Sequence, residues 1–151
     1  MVAISAGYYH SLALSSDGTV TGWGRDDYGQ STVPGGLENV VALAAGYYHS
    51  IALKSDGTVI GWGKNDDGQI NVPDDLGDVV AIAAGYSPSM ALIDNGTVIA
   101  WGDNDDGQID IPDDLRARVY CDSSGYVFDT CGECNGDFFC GEYGGTNFSC
   151  N

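Results

Sequence analysis

The sequence predicts an all-β chain: three antiparallel β-propeller blades, forming an incomplete propeller, followed by a small disulfide-rich tail. Three observations carry that prediction. A unit recurs every 39 residues, 23 glycines stand against 4 prolines, and Asp-Gly or Asn-Gly pairs separate short apolar runs. A fixed step of this size marks a repeat architecture, and glycine turns between short runs mark antiparallel strands.

The repeat is read directly. Gly7-Tyr8-Tyr9-His10-Ser11 returns as Gly46-Tyr47-Tyr48-His49-Ser50 and, altered, as Gly85-Tyr86-Ser87-Pro88-Ser89. Trp23, Trp62 and Trp101 keep the same step, as do Gln30, Gln69 and Gln108, and Pro34, Pro73 and Pro112. The repeats are therefore 1–39, 40–78 and 79–115, with a tail over 116–151.

In the second repeat, Val40 to Gly46 reads as a first strand, small and apolar enough to be buried on both faces. His49 to Lys54 reads as a second strand with Ile51 and Leu53 on one side. Asp56-Gly57, like Asp17-Gly18 and Asn95-Gly96, predicts a two-residue type I′ hairpin. Thr58 to Gly63 forms the third strand. The segment after Gly68-Gln69 contains a proline and suits only an edge strand or a loop. Four-stranded units of about 40 residues in tandem mean propeller blades. The three tryptophans are expected in blade packing, and His10 and His49 in structural hydrogen bonds.

The run AGYYHSIALKSDGTVIGWGKNDDGQINVP resembles the repeats of the regulator-of-chromosome-condensation propeller family. Its Gly-Trp-Gly-x-Asn-x-x-Gly-Gln…Val-Pro spelling is similar to a bacterial branch that includes secreted β-lactamase-inhibitory proteins. The resemblance covers residues 2–115 and implies a seven-bladed propeller, of which this sequence supplies three blades. If each uncovered blade face exposes on the order of 400 Å² of apolar area, the lost burial is roughly 10 kcal/mol per face at ~25 cal/mol/Å². Three resolutions stand open: a fragment of a longer propeller, copies that assemble to close a ring, or a tail that caps one end.

Charge narrows the partners. With 22 acidic and 5 basic residues the net charge is −17, which argues against nucleic acid and against an anionic membrane surface. No run of 18 apolar residues occurs, so membrane insertion through a helix is not expected. Strand direction places the Gly-Tyr-Tyr loops and the acidic loops on one end of the blades, with the Asp-Gly hairpins at the other. The candidate partner-binding residues are Tyr8, Tyr9, Tyr47, Tyr48 and Tyr86, with Asp26, Asp27, Asp66, Asp67, Asp105 and Asp106. Tyrosines beside carboxylates suit docking of a protein with a basic surface. Resemblance to the inhibitory proteins implies the same face.

No catalytic constellation is read and no cofactor is expected. Asp103 to Gly107 lacks the spacing of a calcium loop, so no metal site is assigned. The tail cysteines Cys121, Cys131, Cys134, Cys140 and Cys150 read as disulfide-forming, because Cys131-Gly132-Glu133-Cys134 has no second close pair to complete a zinc site. Met1 leads straight into the first repeat, so the natural N-terminus is expected to lie upstream. The reading is a protein-binding propeller module of a secreted or cell-surface protein, a fragment of a larger propeller. Its alternatives are an enzyme inhibitor of the β-lactamase-inhibitory type and a structural subunit of an extracellular assembly. A homo-oligomer that closes the propeller is the alternative to the fragment.

Overall fold

The computed structural model describes residues 2–116, 120–121, 140–143 and 147–150. Chain packing divides it into two units, Met1–Leu115 and Arg116–Asn151. In the first unit each repeat folds into one antiparallel sheet: β1 (Ala3–Ala6), β2 (His10–Leu14) and β3 (Val20–Gly24); β4 (Val40–Ala45), β5 (His49–Lys54) and β6 (Val59–Gly63); β7 (Val79–Ala84), β8 (Pro88–Ile93) and β9 (Val98–Gly102). A 3-10 turn, Asp113–Leu115, closes the third repeat. The second unit shows β10 (Tyr120–Cys121), β11 (Cys140–Tyr143) and β12 (Asn147–Cys150) in the order β10-β12-β11. Cys140 and Cys150 are partners in its register, whereas Cys131 and Cys134 lie outside the described residues.

The blades have three strands, not the expected four. Residues 31–39 and 70–78 run as turns and loop, consistent with prolines that cannot complete a ladder. The hairpins also differ from expectation. Gly57 N–H donates to Lys54 C=O at 3.0 Å and Lys54 N–H to Thr58 C=O at 2.9 Å. Only Gly57 has positive φ, at 83°, and Asp56 does not. This is a type I turn followed by a left-handed glycine bulge, which needs φ > 0 at one residue where type I′ needs it at two. The Asp56 carboxylate accepts from Thr58 N–H at 3.0 Å and closes the turn, as Asp17 does for Thr19 and Asn95 for Thr97.

Burial of the first strands depends on neighbours. β4 has a repeat on each side and is covered along most of its length, with Val41 pushed outward by a bulge between Val40 and Ala42. β1 leaves alternate residues exposed, and β7 leaves Val80, Ala81 and Ala83 exposed. Two apolar clusters fill the spaces between sheets. Leu12, Leu14 and Val20 pack against Ala45, Ala52 and Trp62, and Ile51, Leu53 and Val59 pack against Val79, Ala91 and Trp101. Each blade thus offers its branched aliphatic face forward and its Ala-Trp face backward. Trp23 departs from the expected packing: it is 51% exposed, against 6% for Trp62 and Trp101, each of which packs on and hydrogen-bonds to the preceding repeat.

One hydrogen-bond set locks each junction. Gln30 C=O accepts from Ser50 Oγ at 2.8 Å and from Trp62 Nε1 at 3.0 Å. His10 Nε2 lies 2.8 Å from Ser50 Oγ. At the next junction Gln69 C=O accepts from Ser89 Oγ at 2.8 Å and Trp101 Nε1 at 3.0 Å, with His49 Nε2 2.9 Å from Ser89 Oγ. A serine hydroxyl has one proton, and here it goes to the carbonyl; each histidine must therefore donate from Nε2. Nδ1 of both rings is then a buried, unpaired lone pair. Gly46 shows why no side chain is tolerated beside that ring: a Cβ there would sit 2.3 Å from His49 Cε1 and 2.7 Å from Gly85 O.

Protonating either ring would bury a second N–H with no acceptor. Burial lowers the pKa of His10, with Asp26 opposing it, and lowers that of His49 to about 4 through burial first and His10 second. A histidine with a depressed folded pKa contributes stability that is full above 6.5, the unfolded value, and is lost as pH falls toward about 4. Urea unfolding is expected to show this loss between those limits, up to about 3 kcal/mol for His49 at about 1.4 kcal/mol per pH unit. His49→Gln, which can still donate but cannot titrate, should flatten the slope. Ser50→Ala should cost about 1–3 kcal/mol at neutral pH by leaving a buried imidazole N–H unpaired.

Candidate protein-docking face

The tight turn between the first two strands of each blade brings the tyrosines together. Gly46 N–H donates to His49 C=O at 2.8 Å, and the two residues after Gly46 are carried out beyond the strand ends. Tyr8 N–H reaches Gly46 C=O of the next blade at 3.3 Å, and Tyr47 N–H reaches Tyr86 C=O at 3.4 Å. Blade-to-blade spacing therefore sets ring spacing. The Tyr8 and Tyr47 centroids are 4.6 Å apart and those of Tyr47 and Tyr86 4.0 Å apart, the latter pair stacked. Tyr48 meets Tyr47 edge-on at 4.2 Å and Tyr9 at 5.8 Å. All five predicted tyrosines belong to this one ladder, and Tyr8, Tyr9 and Tyr86 are exposed. A hollow of about 350 Å³ runs beneath it along Gly7, Tyr8, Gly46, Tyr47, Gly85 and Tyr86. Hydrogen bonding to Tyr9, then to Tyr48, pushes the Tyr47 phenol up, so it stays protonated and able to donate.

The acidic loops flank the ladder, and their positions do different work. Asp26 accepts from Ser31 N–H and Oγ, each at 2.8 Å, from Thr32 N–H at 2.9 Å and from Thr32 Oγ1 at 2.6 Å. Asn65 and Asn104 stand at the same place and hold their loops through Ile70 N–H and Ile109 N–H. This first position is a loop clamp. Asp27, Asp66 and Asp105 lie at the tip and are exposed, as are Asp67 and Asp106. Asp67 and Asp106 donate backbone N–H groups to Gln69 Oε1 and Gln108 Oε1, each at 2.9 Å.

Two basic residues and one tyrosine join the face without having been singled out. Arg25 pairs with Asp27, its guanidinium carbon 5.0 Å from the Tyr9 centroid and 5.4 Å from that of Tyr48. Lys64 lies 3.3 Å from Asp66 and 5.8 Å from the ring of Tyr28, which is itself 5.1 Å from Tyr48. The usable signal was positional: Arg25, Lys64 and Asp103 share one place in the repeat. The loops of the first two repeats thus carry a compensating cation and the third has only carboxylates. The Asp56 hairpin and Asp74 line a separate hollow of about 340 Å³ away from the tyrosines. Among the described residues no three His, Cys, Asp or Glu side chains are grouped to hold a metal ion. No described helix is long and apolar enough to cross a membrane.

The regulator of chromosome condensation (RCC1) repeat matches residues 1–30, 40–69 and 79–108, more than half of the chain. The chain belongs to the RCC1 repeat family. Each match ends on the repeat's glutamine, and in the first two repeats the carbonyl of that residue locks the next blade. Among solved structures, the chain is similar to yeast RCC1 (Prp20), seen bound to Kap60, with 26% identity and a TM-score of 0.64 over 83% of this chain and 35% of that one. Prp20p from Saccharomyces cerevisiae, described with its binding to Gsp1p and histones, gives 27% identity and 0.64 over 82% and 36%. The ectodomain of the Physcomitrella patens receptor kinase CR4 gives 27% and 0.58 over 66% and 28%. The chain spans about a third of the length of these proteins. No curated protein sequence matches it significantly.

The clamp yields a test. Thr32 first, then Ser31, hold the Asp26 carboxylate at a pKa of about 2, so its contribution is present above 3.8 and lost as pH falls through about 2. Asp26→Ala should speed hydrogen exchange of the Ser31 and Thr32 amides about tenfold or more, the effect of losing bonds to a charged acceptor. Asp26→Asn, which recreates the arrangement of the other repeats, should largely restore protection.

Proposed function

We propose that the chain is a non-catalytic protein-docking module whose contact face is the tyrosine ladder with its acidic rim. The observation that carries this reading is the contiguity of the rings: five tyrosines from three blades touch in sequence, and a rigid junction fixes each of them. Rings held this way lose little side-chain entropy on binding, and tyrosine is favoured at interface centres for that reason. The net charge of −17 and the uncompensated third loop favour a partner with a basic surface. The binding partners named for Prp20 support the class: Kap60, Gsp1p and histones are all macromolecules met by a related propeller.

A dedicated enzyme inhibitor is the narrower form of the same reading, and titration against a β-lactamase separates it. The five tail cysteines support an oxidising location, outside the cell or at its surface, in which they form disulfides. A structural role in an extracellular assembly would place the contacts in that tail instead.

A purified core histone is a suitable basic probe, with an acidic globular protein as control. Binding measured by biosensor is expected for the histone, to weaken with salt, and to fall at least tenfold in the Tyr47→Ala/Tyr86→Ala double variant. Equal binding of both proteins, or histone binding untouched by the double substitution, would overturn the reading.

A further inference from the structure

We propose that Arg25 fills a guanidinium site on the docking face, and that an arginine of the partner takes its place when the partner docks. This rests on the docking reading above and names the side chain that such a face selects. The seat is assembled from two blades and one loop. Tyr9 and Tyr48 hold the same place in consecutive repeats, with ring centroids 5.8 Å apart and planes inclined by only 26°. One flat cation can therefore reach both rings. The Arg25 guanidinium carbon lies 5.0 Å from the Tyr9 centroid and 5.4 Å from that of Tyr48. Its Nη1 donates to Tyr48 Oη at 3.4 Å and its Nε donates to Asp27. Two rings, a phenol oxygen and a carboxylate thus answer the plane, the fork and the charge of a guanidinium.

The second repeat shows what the seat requires. Lys64 stands at the place of Arg25, and the matching seat would be made by Tyr48 and Ser87. Ser87 is buried and brings no ring. Among the described contacts the Lys64 ammonium lies instead 5.8 Å from the Tyr28 centroid, and it pairs at 3.3 Å with Asp66. The third repeat has Ser87 in place of the tyrosine and Asp103 in place of the cation. A cation sits on these second tyrosines where two of them adjoin, and there it is an arginine. A compact, strongly hydrated ammonium has neither the plane nor the fork to use such a seat.

Arg25 is a replaceable occupant. Its side chain is 44% exposed, that of Asp27 is 53% exposed, and Tyr9 is 42% exposed. Exposed ion pairs and exposed cation–ring contacts are both weak, so swinging Arg25 out costs a partner about tenfold in affinity. The same contacts strengthen for an incoming arginine, because docking removes water from the rings and from Asp27. Arg25 also places a positive charge on a face that otherwise favours a basic partner, so its departure removes a like-charge contact. Asp27 then stays behind to pair with the arriving guanidinium.

The test is binding of the full chain to an oligoarginine and an oligolysine of equal length at physiological ionic strength, read by fluorescence anisotropy of the labelled peptide. Oligoarginine is expected to bind the unsubstituted chain more tightly. Arg25→Ala should raise oligoarginine affinity about tenfold, and oligolysine affinity far less. Lys54→Ala removes the same charge beside Asp56 at the hairpin end, and should leave the ratio of the two affinities unchanged. Adding Tyr48→Leu to Arg25→Ala should abolish the preference for arginine, with circular dichroism unchanged. Equal gains for both peptides in Arg25→Ala, or weaker oligoarginine binding, would overturn the seat. So would an arginine preference that survives loss of Tyr48. Histone binding that persists in those cases would leave the docking reading standing, whereas absence of binding by the histone and by both peptides would overturn the two together.

Discussion

A single backbone carbonyl, that of Gln30 and again of Gln69, holds this structure in alignment. It accepts two hydrogen bonds from the following blade and none from its own sheet among the described bonds, so it can be satisfied only when the next blade is seated. The glutamine side chain turns inward to take a loop amide through Oε1, fixing the direction in which the carbonyl points. Serine, tryptophan and histidine then assemble around it. Because the carbonyl lies close to the acidic loop and the histidine beside the tyrosine turn, one junction positions both parts of the docking face.

Order in the ladder is thus inherited from packing below it. Tyr8, Tyr9 and Tyr86 are exposed and gain little from burial; what keeps them at contact distance is that the blades beneath cannot slide. The aliphatic clusters supply most of the attraction, being non-directional. The hydrogen-bond set supplies register, since a buried N–H or carbonyl displaced from its partner costs far more than an apolar contact shifted by the same amount. Arg25 adds a local layer by lying against two of the rings while its charge is answered by Asp27.

Much of this was legible in the sequence. The 39-residue step fixed the repeats, the glycine and aspartate pairs located the hairpins, and alternation of Ile51 and Leu53 gave the second strand its buried side. What was missed has physical reasons. The turn type depends on the φ of Asp56, and Asp-Gly serves both hairpin classes. The fourth strand failed because a proline-bearing segment cannot form a ladder, although repeat length alone suggested one. Trp23 was read as core because a periodic pattern marks which residue packs, while its burial depends on contacts from a neighbouring repeat. The junction carbonyl belongs to the backbone and leaves no signature beyond the glutamine that orients it. The clustering of Arg25 and Tyr28 with the ladder arises between blades, where one-dimensional spacing is silent.

The forward direction of the junction also bears on how such a chain can change length. Every repeat brings one carbonyl for the blade ahead and one serine-tryptophan pair for the blade behind. Removing residues 40–78 would bring the Gln30 carbonyl opposite Ser89 and Trp101, the same chemical groups it meets in Ser50 and Trp62. Inserting a copy would be equally well matched. A gene encoding these blades can therefore gain or lose whole units through unequal recombination without leaving a mismatched seam, while inserting or deleting even one residue inside a unit's strands would shift every contact across it.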